Sequence, residues 1–282
     1  MSYGSQIIQL LNSLVTTWNL ALVDLVKLLT TDTFESQEIF DSMKRISDLI
    51  SVTGATVLII CFLMGVIGNT SNILESRRTE SIVKTVFRFL LAQAAVIHAP
   101  DIMLTIFSWS KDLTRVVGAG SISLIESLSV PAEIENAIGD LNVFQLIFVW
   151  ILVFIGMLIG LVLIVMLMLT VYGRLFKIYL YTAVAPIPLA TFGSVTTSRV
   201  GKGFLKSYCG VCLEALIMLL ICVVYSAIIN SPEGISFGFL SSGNTDALSL
   251  VKDWLLKLIF NMLLLVTMIK GTDRIVREMM GV

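Results

Sequence analysis

The chain has 282 residues, of which 56% are hydrophobic and 14% charged, with a mean hydropathy of +0.94. A soluble domain carries about 25% charged residues, so this composition excludes an ordinary soluble enzyme and predicts an all-α, polytopic membrane protein. The formal net charge of −1 says nothing about nucleic acid, because what matters is where the charges lie. Cys61, Cys209, Cys212 and Cys222 all sit in apolar stretches, which argues against a secreted disulfide framework. The opening MSYGSQ lacks the basic start of a cleaved signal peptide.

Residues 6–29 place Ile7, Leu11, Leu14, Trp18, Ala21, Leu25 and Leu28 at alternating spacings of four and three. That spacing predicts one apolar helix face. Asn, Thr and Ser dilute the run, so the helix is expected to lie on the membrane or against a neighbour rather than to cross. Residues 31–48 are polar and acidic and read as a second short helix. Together 1–48 form an expected extracytoplasmic amphipathic region, and 49–282 the transmembrane domain.

The first expected span is Leu49 to Ile67. A polar loop with Arg77, Arg78, Lys84 and Arg88 follows. Phe89 to Trp109 reads as the second span, interrupted by His98, Pro100 and Asp101. Residues 110–140 read as a polar loop. Leu141 to Gly173 is free of charge for 33 residues, roughly 50 Å as helix. It exceeds the ~30 Å hydrocarbon core and must tilt or project. Ser207 to Asn230, containing Glu214, is the fourth span. Residues 231–253 form a Gly/Ser-rich loop, Trp254 to Ile269 is the fifth span, and KGTDRIVREMMGV ends the chain.

Between Lys177 and Arg199 lie 21 uncharged residues that include Pro186 and Pro188. Two prolines remove two backbone donors and clash with continued helix, so a break is expected near Ala185. If 178–198 does not cross, pieces 75–88, 174–206 and 270–282 share a side with 12 Lys/Arg and 4 Asp/Glu. The opposite pieces then hold 6 Lys/Arg and 14 Asp/Glu. If it crosses, the same orientation gives 7 Lys/Arg inside and 11 outside. Lys and Arg concentrate on the cytoplasmic side, so five spans are expected, with the N-terminus outside and the C-terminus cytoplasmic. Residues 178–198 become a re-entrant or interfacial hairpin bent at the prolines. Such backbone survives at depth only when protein covers it or water reaches it. The alternative is a Pro-kinked sixth span.

Several side chains stand out. Gly156 and Gly160 form a G-x-x-x-G that lets another backbone approach, within the chain or from a second copy. His98, Asp101 and Glu214 are ionisable groups within or beside spans, candidates for pairing or for lining a path. Lys257 stands four residues after Asp253, which pairing and snorkelling explain. Arg174, Lys177, Arg199, Lys202 and Lys206 form an expected basic cytoplasmic collar. It would serve for anchoring, for anionic lipid headgroups, for acidic partners, or for the phosphates of DNA. Cys209 and Cys212 read as small packing residues, because no second ligand pair accompanies them. The single histidine excludes H-E-x-x-H zinc chemistry, and no nucleophile elbow or phosphate-binding glycine motif occurs. No catalytic residue, metal or cofactor is expected. A secondary transporter or small-solute channel using Asp101 and Glu214 is the alternative class.

Three strings carry a resemblance: GRLFKIYLYTAVAPIPLATFG (173–193), VGKGFLKSYCGVCLEALIMLLI (200–221) and KGTDRIVREMMGV (270–282). They resemble the TrbL-like conjugal transfer membrane proteins of Gram-positive conjugative elements, counterparts of the polytopic inner-membrane subunit of type IV secretion systems. The N-terminal half is similar in layout. The resemblance implies a non-enzymatic channel or scaffold subunit in the cell membrane, in a ring of its own copies. It implies pilus-related and extracytoplasmic partners outside, ATPases inside, membrane lipids around it, and passage of a relaxase-bound single DNA strand.

Overall fold

The computed structural model describes residues 3–30, 37–70, 79–121, 128–139, 141–229 and 246–281. Among them are ten α-helices and no strand. They are α1 (Tyr3–Thr30), α2 (Gln37–Thr70), α3 (Thr79–Ile97), α4 (Ala99–Ser121), α5 (Ala132–Gly139), α6 (Val143–Val184), α7 (Pro186–Ala190), α8 (Ser198–Ile229), α9 (Ala247–Lys270) and α10 (Thr272–Met280). Five stretches are long and apolar enough to cross a membrane: α1, α2, α6, α8, and α9 continued into α10. The pair α3 and α4 also qualifies, bent by 72° at its break. The protein is thus an all-α polytopic bundle.

The chain divides into two compact units. One comprises Met1–Thr31, Thr114–Tyr172 and Leu216–Thr272. Here α1 buries Ile7, Leu11, Leu14, Trp18, Ala21 and Leu25, the face its periodicity marks. It packs on α5, which packs on α9. Asn19 fixes the chain ahead of α5: its side-chain amide donates to the Leu128 carbonyl at 2.8 Å and accepts from the Leu128 N–H at 3.1 Å. The start of α6 is capped by the side chain of Gln145, whose oxygen accepts the Asn142 N–H at 3.0 Å, the returning half of a capping box. α1 thus packs on a neighbour, as its spacing suggests, and it is also long and apolar enough to cross a membrane.

The other unit comprises Asp32–Leu113, Gly173–Ala215 and Asp273–Val282. Residues 37–48 do not make a separate short helix. From Gln37 they are continuous with the apolar run, in one 34-residue helix. Charged residues end a membrane run but not a helix, since Lys, Arg and Glu are good helix formers. The same reason puts Lys84 and Arg88 inside α3 and residues 110–121 inside α4, where loops were expected. Residues 31–36, Arg77, Arg78 and most of the 231–253 loop lie outside the described residues.

Where a single span was expected at 89–109, the chain breaks at His98. Pro100 is tolerated there because it falls in the first turn of α4, where N–H groups have no intrahelical partner anyway. α6 ends at Val184, and Pro186 opens α7 at once. Ala185 keeps helical dihedrals, φ −48° and ψ −37°. The path leaves helix only at Ser194, φ −127° and ψ 152°, after a 3-10 turn over Thr191–Gly193. The corner 185–197 therefore steps at the prolines and departs from helix at Ser194, eight residues after Pro186. Its Ala185, Leu189 and Ala190 are buried, and α7 packs on both α2 and α3. A Cβ on Gly54 of α2 would lie 2.9 Å from the Pro186 carbonyl oxygen, so this contact of backbone on backbone needs a glycine.

Candidate functional site

Charged side chains gather where α6, α8 and α10 meet. Arg174 is only 6% exposed. Its Nε donates to the Val211 carbonyl and its Nη2 to the Cys212 carbonyl, each at 3.1 Å. A guanidinium has five donors and no acceptor, and a helical carbonyl keeps a second lone pair, so the arginine ties α6 to α8 without breaking either helix. Ser110 of α4 donates to the same Cys212 carbonyl at 2.6 Å, and the Tyr208 hydroxyl donates to the Met103 carbonyl at 2.8 Å. Three side-chain donors on apolar helices are thus satisfied by backbone oxygens, the mode that suits helices packed in lipid.

One turn beyond Arg174, Lys177 donates to Asp273 of α10 at 3.0 Å and stands 3.9 Å from Glu214 of α8. The Glu214 side chain is 3% exposed, so a buried carboxylate has its lysine partner held nearer by a second carboxylate. Asp273 also accepts from Arg277 at 3.1 Å. A cavity of about 180 Å³ opens over these groups, with Tyr181, Lys206 and Ser207 on its wall. α10 closes it by seating buried Val276 against Gly210, where a Cβ would lie 2.9 Å from Cγ1.

A second group sits at the α3–α4 bend. Asp101 lies 3.3 Å from Nζ of Lys44 on α2 and 3.6 Å from Nδ1 of His98. All three are about half exposed or more. Asp101 and Glu214 therefore belong to different groups with different partners.

The basic residues of the expected collar have distinct settings. Arg174 is buried on carbonyls, and Lys177 serves the acidic pair. Arg199, Lys202 and Lys206 are exposed along the start of α8. Pro186 is buried and Pro188 half-buried in the corner. Gly156 and Gly160 are buried in the first unit. A Cβ on Gly160 would lie 2.5 Å from Cδ1 of Leu14, and one on Gly156 3.3 Å from Cδ1 of Ile259. The close approach they permit is made by α1 and α9 of the same chain. Among the described residues no group of three His, Cys, Asp or Glu side chains could hold a metal ion.

Sequence reasoning missed Lys44, Asp273 and Arg277. The i,i+4 spacing of Asp273 and Arg277 was a visible sign of a paired helix face. Lys44 lies 57 residues from Asp101, and no local pattern joins them.

This fold and these ion groups define a multi-pass helical membrane protein whose buried charges are matched by partners on other helices. The family model described as TrbL/VirB6 plasmid conjugal transfer like protein matches residues 27–186. That is more than half of the chain, and the chain belongs to this family: it is a conjugal transfer membrane protein. The match runs from the end of α1 to Pro186, so it takes in the string at 173–193 only in part and stops short of the other two. Comparison with curated proteins and with solved structures gives no match.

Proposed function

We propose that this protein is a non-enzymatic channel or scaffold subunit of a conjugative type IV secretion system, supporting transfer of a relaxase-bound DNA strand. The observation that carries this reading is the family match across α2 to α6, on a chain whose described residues include five or six stretches long and apolar enough to cross a membrane. Its copies form a ring, with pilus-related and extracytoplasmic subunits on one side and secretion ATPases on the other. The N-terminus faces outside and the C-terminus the cytoplasm, a reading that rests on the charge asymmetry, and the Gram-positive setting rests on the resemblance. A solute transporter coupled through Asp101 and Glu214 finds no support in the separate ion groups of those two residues.

The test is removal of the chain from donor cells, with conjugative transfer frequency as the readout. Transfer should be lost and return with the wild-type gene, while transfer at the original frequency without the chain would overturn the proposal. Labelling of single cysteines at Gln6 and Arg274 tests the orientation. Five spans place the two on opposite sides, whereas a crossing α1 as a sixth span places them on the same side.

A further inference from the structure

Arg199, Lys202 and Lys206 follow one another at spacings of three and four on α8, so they share a helix face. All three are exposed, and among the described residues no ion pair joins any of them to a carboxylate. No acidic residue occurs from Arg174 to Lys206. Two valines beside them are also exposed, Val195 at 67% and Val200 at 61%. The corner that carries them lies along α2, with Pro186 beside Gly54 and Ser194 beside Gly65. Gly65 is two residues from Ile67, the end of the apolar stretch of α2. Val195 and the start of α8 therefore stand where the lipid-facing run of a membrane-spanning helix gives out.

We propose that this face, Val195 and Val200 with Arg199, Lys202 and Lys206, binds the phosphate groups of anionic phospholipids. At that level valine reaches acyl chains, and long cationic side chains extend to phosphates from an apolar stem. A single nucleic acid strand fits the face less well, because strand binding uses aromatic platforms for the bases. Two rings of the corner and the start of α8 are only half-exposed: Phe204 packs with Tyr181 at 5.4 Å between centroids, and Phe192 packs against the corner's core. The proposal needs only that the chain spans a membrane and is independent of the channel reading.

The experiment places the full chain in nanodiscs with equal amounts of phosphatidylcholine and phosphatidylglycerol, then extracts it and measures the lipids that stay bound. Wild type should retain phosphatidylglycerol in excess, and high salt should reduce the excess. Each charge removed from the face should lower the preference about fivefold, and R199Q/K202Q/K206Q should retain both lipids alike. K27Q/R45Q/K270Q, with three exposed cations changed elsewhere, should keep the preference. Equal retention by wild type would overturn the proposal whether or not the variant folds. So would an equal loss in the control variant, and so would release of phosphatidylglycerol by an oligothymidylate, which would assign the face to nucleic acid.

Discussion

The two halves of α6 solve the same problem by different means. Residues 143–172 carry no charge, and their neighbours are fitted by shape: Leu14 and Met262 close on Gly160, and Ile259 and Leu255 on Gly156. Residues 173–184 carry Arg174 and Lys177, and their neighbours are fitted by donors and acceptors on α8 and α10. Lipid offers no hydrophobic gain when one apolar helix leaves it for another, so association falls to close packing and to interhelical hydrogen bonds. The difference teaches that the two devices fail differently. A shape fit loses dispersion contacts gradually, whereas a charge fit leaves a buried ion behind.

The sharpest way to break the contrast is Lys177→Met. It removes the nearest cation from a carboxylate that is 3% exposed, and an uncompensated buried charge costs about 3–5 kcal/mol. The thermal midpoint in detergent should fall well below wild type. Adding Glu214→Met should restore most of the loss, because a buried pair replaced by apolar side chains is often neutral. A midpoint unmoved by Lys177→Met would show that Glu214 relies on other groups.

Gly160→Leu tests the shape-fitted half. The new side chain meets Leu14 at once, and overpacking costs about 1–3 kcal/mol. Stability should fall while the native mass of the assembly stays constant, because the notch is filled from within the chain. A smaller assembly with unchanged stability would reassign the glycine to a contact between copies.

Gly54→Ala is expected to cost about 1 kcal/mol, since its Cβ meets backbone at Pro186 rather than a side chain that can turn away. The corner should then become more accessible, read as faster thiol labelling of a cysteine at Leu189. Labelling at the wild-type rate would mean that α2 shifts freely. The smallest effect belongs to Arg274→Ala. Its pair with Glu278 is an exposed i,i+4 contact at 2.8 Å, and such pairs contribute about 0.3–0.5 kcal/mol. A large destabilisation would reveal a further role for the outer face of α10.

Much of the fold was legible because apolar runs and helix periodicity are local properties. The face of α1 and the interrupted stretch around His98 could be read from spacing and from proline. The polar stretches at 37–48 and 110–121 were misread, because hydropathy marks the membrane run rather than the helix that carries it. The candidate site was half legible. Glu214 drew notice as a charge in apolar surroundings and Lys177 as part of a basic collar, but Asp273 lies 96 residues from Lys177. Which carboxylate a lysine meets at that separation depends on how the helices pack.

What the sequence by itself determined is the class: a helical, multi-pass membrane protein with its bases and acids sorted along the chain and a proline break after α6. Each follows from short-range chemistry, the cost of a charge in hydrocarbon and the missing N–H of proline. Only the tertiary structure decided what the special residues do. It buried Arg174 on the carbonyls of α8, turned Gly156 and Gly160 toward their own chain, and left Arg199, Lys202 and Lys206 exposed. The reason is that five similar bases differ only in what stands across from them, and that is settled when one helix packs against another.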